Sequence, residues 1–146
     1  MIFTSAQALE DYGGRLAAVA RVGDVIALSG DLGAGKTTLA RGLLRGLGLE
    51  EEAPSPTFTI VQTYDPPEVR LPTWHVDLYR LDEPEDAIEL GIEEAFDTAL
   101  VIVEWPERLG RLLPATALRL TLDGAGEAQR RLTAHLPPCW EDRCPQ

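Results

Sequence analysis

The residue types best suited to chemistry lie together in one short segment, residues 30–37. This segment reads GDLGAGKT, which fits a pattern of two glycines separated by four residues and followed by lysine and a hydroxyl residue. Glycines let the backbone curl so that its N–H groups point inward, where they bind phosphate oxygens. The Lys36 ammonium can bridge two phosphate groups, and the Thr37 hydroxyl can ligate Mg²⁺. The predicted phosphate-binding residues are Asp31, Gly33, Ala34, Gly35, Lys36, Thr37 and Thr38.

The elements that must position this loop flank it directly. An apolar run at 25–29 predicts a buried strand before the loop, and leucines at helical spacing predict a helix over residues 37–47 after it. The N-terminus of that helix would direct the positive end of its dipole at a bound phosphate. A strand, a glycine-rich loop and a helix in this order are the context that the motif requires.

Two residue types that are absent or scarce bear on the identity of the nucleotide. The chain contains no asparagine, and Lys36 is its only lysine. Phosphate-loop GTPases read guanine with a second segment of the form Asn-Lys-x-Asp, which this sequence cannot supply. The sequence therefore favours ATP by elimination rather than by an adenine-specific segment.

Two carboxylates stand where a metal ion bound to the nucleotide would need them. Glu104 follows an apolar run at 99–103, which is typical of a strand covered on both faces. Asp77 ends an extended run at 73–77, whose alternation places His75 on the same face. Because open α/β sheets bind ligands at the carboxyl ends of their strands, both acids are candidates for holding Mg²⁺. His75 is interpreted as a structural histidine.

A hydroxyl-rich segment beside prolines follows the predicted phosphate-loop helix. It carries Ser55, Thr57 and Thr59. A segment of this kind can act as a switch that senses the γ-phosphate, and the residues alone leave that role open.

The remaining pattern predicts one layered domain. The other predicted elements are a helix that starts near Thr4 and stops before Gly23, a hairpin over 57–64 and 73–77, an acidic helix over 84–96 broken near Gly91, a short helix over 106–113, and strands over 117–122 and 131–136 around a turn at Asp123-Gly124. We expect a single-domain α/β fold of the P-loop NTPase-like layered kind, with a mixed, mainly parallel β-sheet flanked by helices. This domain would cover residues 1–136, and residues 137–146 would form a C-terminal tail.

Charge and composition limit the partners. The chain carries 13 basic and 24 acidic residues, for a net charge of −11, which disfavours independent binding to nucleic acid or to an anionic membrane. No secretory signal and no apolar run near the ~20 residues of a membrane span are visible. The two cysteines, Cys139 and Cys144, are interpreted as unconnected thiols in a reducing compartment. The expected location is the cytoplasm.

Four segments taken together resemble one known family. They are GDLGAGKTT at 30–38, SPTFT at 55–59, HVDLYR at 75–80 and EWPE at 104–107. In order and spacing they are similar to the TsaE (YjeE) family, bacterial ATPases that assist synthesis of threonylcarbamoyladenosine on tRNA. The resemblance extends over about residues 4–122 and is much more specific than the phosphate loop alone.

The resemblance implies a small Mg²⁺-dependent ATPase that works with the two-subunit threonylcarbamoyl-transferase, TsaB and TsaD, and resets that complex between turnovers. tRNA would be engaged only through these partners. Lys36 would be the phosphate lysine, Thr37 and Glu104 the Mg²⁺ ligands, and Asp77 the residue that positions or activates water. The switch segment would contain Ser55 and Thr57. Further features implied by the resemblance are Trp105 as a link to a partner surface and an adenine near Thr4 and Ser5.

Two other functions use the same loop. A small-molecule kinase would pass the γ-phosphate to an acceptor, although no insertion large enough for an arginine-bearing lid stands out. A non-catalytic ATP-dependent switch would bind without turnover, and Asp77 and Glu104 argue for some hydrolysis. The acidic segment at 82–97 contains no basic residue, and it is either a solvated helix face or a docking surface for a basic partner.

Overall fold

A seven-stranded mixed sheet forms the centre of the fold in the computed structural model, which describes residues 1–31, 33–51, 60–124 and 129–146. The strands are β1 (Ile2–Phe3), β2 (Val25–Ser29), β3 (Val61–Tyr64), β4 (Thr73–Asp77), β5 (Leu100–Glu104), β6 (Leu118–Gly124) and β7 (Arg130–His135). Their order is β1-β7-β6-β2-β5-β4-β3. The pairs among β6, β2, β5 and β4 are parallel, and the pairs toward both edges are antiparallel. The predicted fold class is confirmed, with parallel pairing in the middle of the sheet.

Helices cover both faces of this sheet. They are α1 (Ala6–Val19), α2 (Lys36–Gly46), α3 (Pro84–Glu89), α4 (Ile92–Thr98) and two 3₁₀ helices over Pro106–Leu112 and Pro138–Trp140. The predicted break near Gly91 is confirmed, because Gly91 lies between α3 and α4 with a φ of 85°. No helix among the described residues is long and apolar enough to cross a membrane.

The central strands are apolar throughout because they contact a different core on each face. Along β5, Leu100 and Ile102 pack in the core beneath α1 and α2, whereas Val101 and Val103 pack beneath α3 and α4. Side chains alternate along a strand, so Glu104 continues the face of Leu100 and Ile102. The strand therefore delivers its terminal carboxylate to the same side of the sheet as α2.

Helices α1 and α2 approach each other closely, and glycine makes this approach possible. A Cβ atom on Gly42 would lie 2.3 Å from the backbone oxygen of Glu10, and one on Gly13 would lie 2.7 Å from that of Leu39. Both positions are buried. Each glycine lowers the intrinsic propensity of its own helix, Gly13 in α1 and Gly42 in α2, and the packing that they permit compensates for it.

Local predictions agree with the structure at the start of α1 and differ from it elsewhere. Helix α1 begins at Ala6, close to the predicted start near Thr4, and its N-cap is Ser5, whose side chain accepts a hydrogen bond from the Ala8 N–H at 3.1 Å. Asp123 and Gly124 do not form a turn, since they pair with Arg131 and Arg130 inside the β6–β7 ladder. The short edge strand β1 has no counterpart in the sequence prediction. The first part of the predicted hairpin, residues 57–59, lies outside the described residues.

The C-terminal segment set apart in the sequence as a tail packs against the domain. Trp140 is fully buried in the core beneath α1 and α2. The Arg143 guanidinium lies 3.8 Å from the centre of the Trp140 ring and donates two hydrogen bonds of 2.6 Å to the Asp24 carboxylate. At the same end of the chain, the Tyr12 hydroxyl donates to the backbone oxygen of Pro145 at 2.9 Å. Both cysteines are free thiols.

Replacing Trp140 by alanine should lower the free energy of unfolding by about 3–5 kcal/mol, the usual cost of truncating a buried aromatic side chain. Urea unfolding followed by circular dichroism measures this change, with Glu141→Ala as the control because Glu141 is exposed on the same segment. A loss no larger than that of the control would contradict the burial of this segment.

Candidate phosphate-binding site

The loop between β2 and α2 turns by means of glycines in the left-handed region. Gly33 has a φ of 79° and Gly35 a φ of 107°, which L-side chains rarely adopt. Gly35 is also the N-cap of α2, so the backbone enters the helix directly from the loop. The first N–H groups of a helix have no partners within it, and those of α2 begin at Lys36. The loop and the helix thus direct backbone donors at one point.

Lys36 is a nearly buried cation, with 5% of its surface exposed. Its Nζ atom donates to the backbone oxygens of Gly30 (2.5 Å) and Asp31 (2.8 Å). It forms no ion pair with any carboxylate of the described residues. Burial lowers the pKa of the Lys36 ammonium, and the negative charges nearby, Glu104 first among them, offset this only in part. The cation therefore stands in an environment that an anion would stabilise.

Two strand ends bring carboxylates to the same place. Asp77 and Glu104 are paired neighbours at the ends of the parallel strands β4 and β5, and both are buried. The Thr37 hydroxyl donates to Glu104 Oε1 at 3.0 Å. Asp77 Oδ1 accepts from the Tyr79 N–H at 2.9 Å, which fixes that carboxylate against the chain that follows β4.

The indole ring of Trp105 packs against the ammonium group of Lys36. Its ring centre lies 4.4 Å from Lys36 Nζ and 5.0 Å from the ring centre of Tyr79. Its backbone is left-handed, with a φ of 61°, a conformation that costs an L-residue about 1–2 kcal/mol. The strained turn directly after Glu104 brings the indole back over the loop, and no sequence pattern predicts it.

These side chains line one cavity of about 200 Å³. Seven of its lining residues were predicted for nucleotide, metal or catalysis, and Trp105 is the eighth. The full lining is Gly33, Gly35, Lys36, Thr37, Thr38, Asp77, Glu104 and Trp105. Two other predicted loop residues do not line this cavity. The Ala34 side chain is buried in the core beneath α1 and α2, and the backbone oxygen of Asp31 accepts a hydrogen bond from Lys36 Nζ. Ser55 and Thr57 lie outside the described residues.

A second cavity, of about 290 Å³, adjoins the first along Gly33, Gly35 and Thr38. Its other walls are Thr4 and Ser5 just before α1, Leu9 in the first turns of α1, and Arg130. Arg130 Nη2 also donates to the backbone oxygen of Gly33 at 3.2 Å. Sequence reasoning missed Arg130, because β7 reaches the loop only through the pairing of β6 with β7 and of β6 with β2.

His75 contacts the site as well. Its Nε2 atom lies 2.6 Å from Glu104 Oε2, and both side chains are buried. The alternation of β4 predicted the shared face of His75 and Asp77, whereas no sequence pattern predicted the contact of His75 with Glu104.

A phosphate loop between a central strand and a helix, facing acidic strand ends, defines a protein of the P-loop class. A family model described as "Threonylcarbamoyl adenosine biosynthesis protein TsaE" matches residues 3–132. The chain belongs to the TsaE family. The matched range covers all the lining residues of both cavities and stops before the C-terminal segment.

Proteins named TsaE from several bacteria are similar in sequence to this chain over most of its length. The chain is 43% identical to a tRNA threonylcarbamoyladenosine biosynthesis protein TsaE of Bacillus subtilis over 119 residues, which is 80% of this chain and 72% of the relative. It is 36% identical to the Treponema pallidum protein of the same name over 130 residues, or 88% and 94% of the two chains. The crystal structure of YdiB from Bacillus subtilis superposes with a TM-score of 0.81 and 31% identity, covering 99% of this chain and 89% of that one.

Proposed function

We propose that this chain is an Mg²⁺-dependent ATPase of tRNA threonylcarbamoyladenosine biosynthesis, acting in the cytoplasm on the transferase formed by TsaB and TsaD. The observation that carries the proposal is the buried Lys36 ammonium, which lacks an ion pair within the described chain and faces a cavity with two carboxylates. Membership of the TsaE family supports a role in tRNA threonylcarbamoyladenosine biosynthesis. The lining of the cavity supports binding and hydrolysis of ATP with Mg²⁺.

A triphosphate would supply the direct anionic partner that Lys36 lacks among the described residues. A buried ammonium without a counter-ion is unfavourable, and hydrogen bonds to a phosphate are charge-assisted and therefore strong. The Nζ atom is bound to Gly30 O and Asp31 O, which are neutral acceptors that a phosphate oxygen can replace. The N–H groups at the start of α2 add donors and the helix dipole to the same point.

The oxygens of Thr37 and Glu104 fit Mg²⁺. This ion prefers oxygen ligands, keeps several waters, and is bound by one or two protein groups together with substrate phosphates. The hydroxyl and carboxylate, 3.0 Å apart, match that donor set. The described residues contain no group of three His, Cys, Asp or Glu side chains that would form a metal cage without the nucleotide. Bound Mg²⁺ would neutralise charge that develops on the phosphate oxygens during transfer.

Asp77 is the residue suited to holding the attacking water. It lies beside Glu104 on the neighbouring strand, and its Oδ1 is fixed by the Tyr79 N–H. Water held by this carboxylate attacks the γ-phosphorus, the bond from phosphorus to the ADP oxygen breaks, and the products are ADP and phosphate. Lys36 holds the phosphates in place during this step.

The adjoining 290 Å³ cavity has the place and lining for the nucleoside. Leu9 offers an apolar surface, Ser5 and Thr38 offer hydroxyls, and Arg130 offers a planar cation that can stack on a base. The cavity starts where the phosphate cavity ends, so one nucleotide can extend through both. ATP is proposed because the chain lacks the asparagine-containing segment of guanine readers.

The charge of the chain supports an indirect role in tRNA chemistry. A net charge of −11 opposes phosphate binding by the surface as a whole, so the proposed partners would hold the tRNA. Trp105 and Tyr79, which lie next to the cavity and pack on each other, are suited to report the state of the nucleotide to such a partner.

The test of this function uses purified TsaB–TsaD from the same genome, mixed with this chain and passed over a sizing column in ATP or in ADP. We expect co-elution that depends on which nucleotide is present, and release of phosphate that increases in the complex. Absence of association in either nucleotide would reject the partnership. Transfer of the γ-phosphate to a metabolite in a lysate would instead indicate the kinase.

A further inference from the structure

A buried histidine supports the carboxylate that faces the phosphate cavity. His75 has no exposed side-chain surface, and the Glu104 side chain is 3% exposed. The distance from His75 Nε2 to Glu104 Oε2 is 2.6 Å, which is a short hydrogen bond. A contact this short between two buried polar groups fixes the position of both.

Strand register places the histidine behind the carboxylate. Asp77 is the partner of Glu104 across β4 and β5, and His75 lies two residues earlier, opposite Ile102. Consequently Asp77 lines the 200 Å³ cavity with Glu104, whereas His75 does not. The two oxygens of Glu104 have different partners, because Oε1 accepts from Thr37 at the cavity and Oε2 meets His75 away from it.

The second ring nitrogen indicates which tautomer is present. His75 Nδ1 is buried and has no hydrogen-bond partner among the described residues. A hydrogen on Nδ1 would be a buried donor without an acceptor, which is costly. The neutral ring therefore carries its hydrogen on Nε2 and donates it to Glu104 Oε2.

We infer that His75 is a positioning residue for Glu104: by holding Oε2 from behind, it keeps Oε1 directed at Thr37, where the Mg²⁺ of the nucleotide complex would be bound. The inference rests on the proposed function. Without the histidine, the Glu104 carboxylate can rotate about its last side-chain bond. Thr37 Oγ1 and Glu104 Oε1 are then no longer held together at the cavity before Mg²⁺ binds. Groups that orient metal ligands in this way commonly affect metal affinity by about 10–100-fold.

The test compares His75→Leu with His75→Gln. The measured quantity is the Mg²⁺ concentration that half-saturates binding of a non-hydrolysable ATP analogue, together with the affinity for the same analogue in EDTA. His75→Leu should raise the Mg²⁺ requirement by about 10–100-fold and leave the affinity in EDTA unchanged. His75→Gln should restore most of the wild-type requirement, because its amide N–H can donate to Oε2. His135→Leu is the control, since His135 is exposed.

A second measurement needs no variant at position 75. The chain has two histidines, so long-range ¹⁵N–¹H spectra contain two imidazole patterns, and His135→Leu assigns them. We expect the Nε2–H pattern for His75 in the unliganded wild-type protein, and a shift of its Nε2 signal in Glu104→Ala. The Nδ1–H pattern, or no response to Glu104→Ala, would overturn the inference even if His75→Leu does not fold.

The outcomes separate the two proposals. If the wild-type protein binds the analogue without regard to Mg²⁺, the proposed ATPase function fails, while the NMR result still decides the His75–Glu104 contact. If the wild-type protein requires Mg²⁺ and His75→Leu has the same requirement, the inference is wrong and the function stands.

Discussion

Replacing Lys36 by methionine is expected to abolish measurable ATP binding while the fold is kept. Methionine retains an apolar stem that can pack beneath Trp105, and it removes only the charge and the donors. Hydrogen bonds to charged groups contribute about 1.5–3 kcal/mol each, so losing one ammonium between phosphates should weaken binding by about 100-fold or more. No other lysine can substitute, because Lys36 is the only one in the chain.

The same substitution should not destabilise the unliganded protein. Lys36 is nearly buried and forms no ion pair within the described residues, so burial opposes its charge. Burying an unpaired charge is costly, and removing it offsets the loss of the hydrogen bonds that the ammonium donates to Gly30 O and Asp31 O. The free energy of unfolding should therefore stay close to that of the wild type. A large loss would indicate a lysine kept for stability.

Calorimetry with ATP and urea unfolding measure the two effects. The matched control is Arg45→Ala, which removes a cation from the same helix, where Arg45 is exposed and pairs with Glu10. The control should bind ATP like the wild type. Wild-type affinity in Lys36→Met, or a clear loss of stability without a loss of affinity, would reject the site.

Glu104→Gln is expected to abolish Mg²⁺-dependent hydrolysis and to preserve nucleotide binding in EDTA. The amide is nearly the same size as the carboxylate but lacks its charge, so it is a much poorer ligand for Mg²⁺. Because groups that merely orient a metal ligand change metal affinity by about 10–100-fold, loss of the ligand itself should lower turnover by at least about 100-fold. In EDTA, removing a negative charge near the phosphates should leave the affinity for ATP unchanged or higher.

The control for this variant is Glu93→Gln, which neutralises an exposed carboxylate on α4 that is not among the charges acting on Lys36. Its hydrolysis rate and its Mg²⁺ requirement should match those of the wild type. Equal hydrolysis by Glu104→Gln and wild type would move the metal role to Asp77. Weaker ATP binding in EDTA would mean that Glu104 acts through the fold of the loop rather than through the metal.

The sequence predicted the parts of the site that depend on residue type and short spacing. The phosphate loop needs glycines, lysine and threonine at fixed positions. Strands β2 and β5 are short apolar runs that lie between two buried layers, one on each face of the sheet. Glu104 was predictable as a candidate because it ends such a run. Each of these features lies within about ten residues of chain, where hydrophobic periodicity and motif spacing are informative.

The remaining features depend on pairing between distant segments. Arg130 meets Gly33 across 97 positions of sequence, and the contact of His75 with Glu104 requires the register of β4 on β5. Neither register can be read from one strand alone. The sequence did not predict the burial of Trp140, whose ring packs in the core beneath α1 and α2. That contact joins the C-terminal segment to helices more than a hundred residues earlier in the chain, so no local pattern indicates it.

The most direct test of the central claim is the fate of the γ-phosphate. Purified protein is incubated with Mg²⁺-ATP in ¹⁸O-labelled water, alone and with TsaB–TsaD, and the released ADP and phosphate are quantified by chromatography and mass spectrometry. We expect ADP and phosphate in equal amounts, one ¹⁸O in each phosphate, and none of this release in EDTA. Binding of ATP without phosphate release in either mixture, or ADP formed without labelled phosphate, would contradict it.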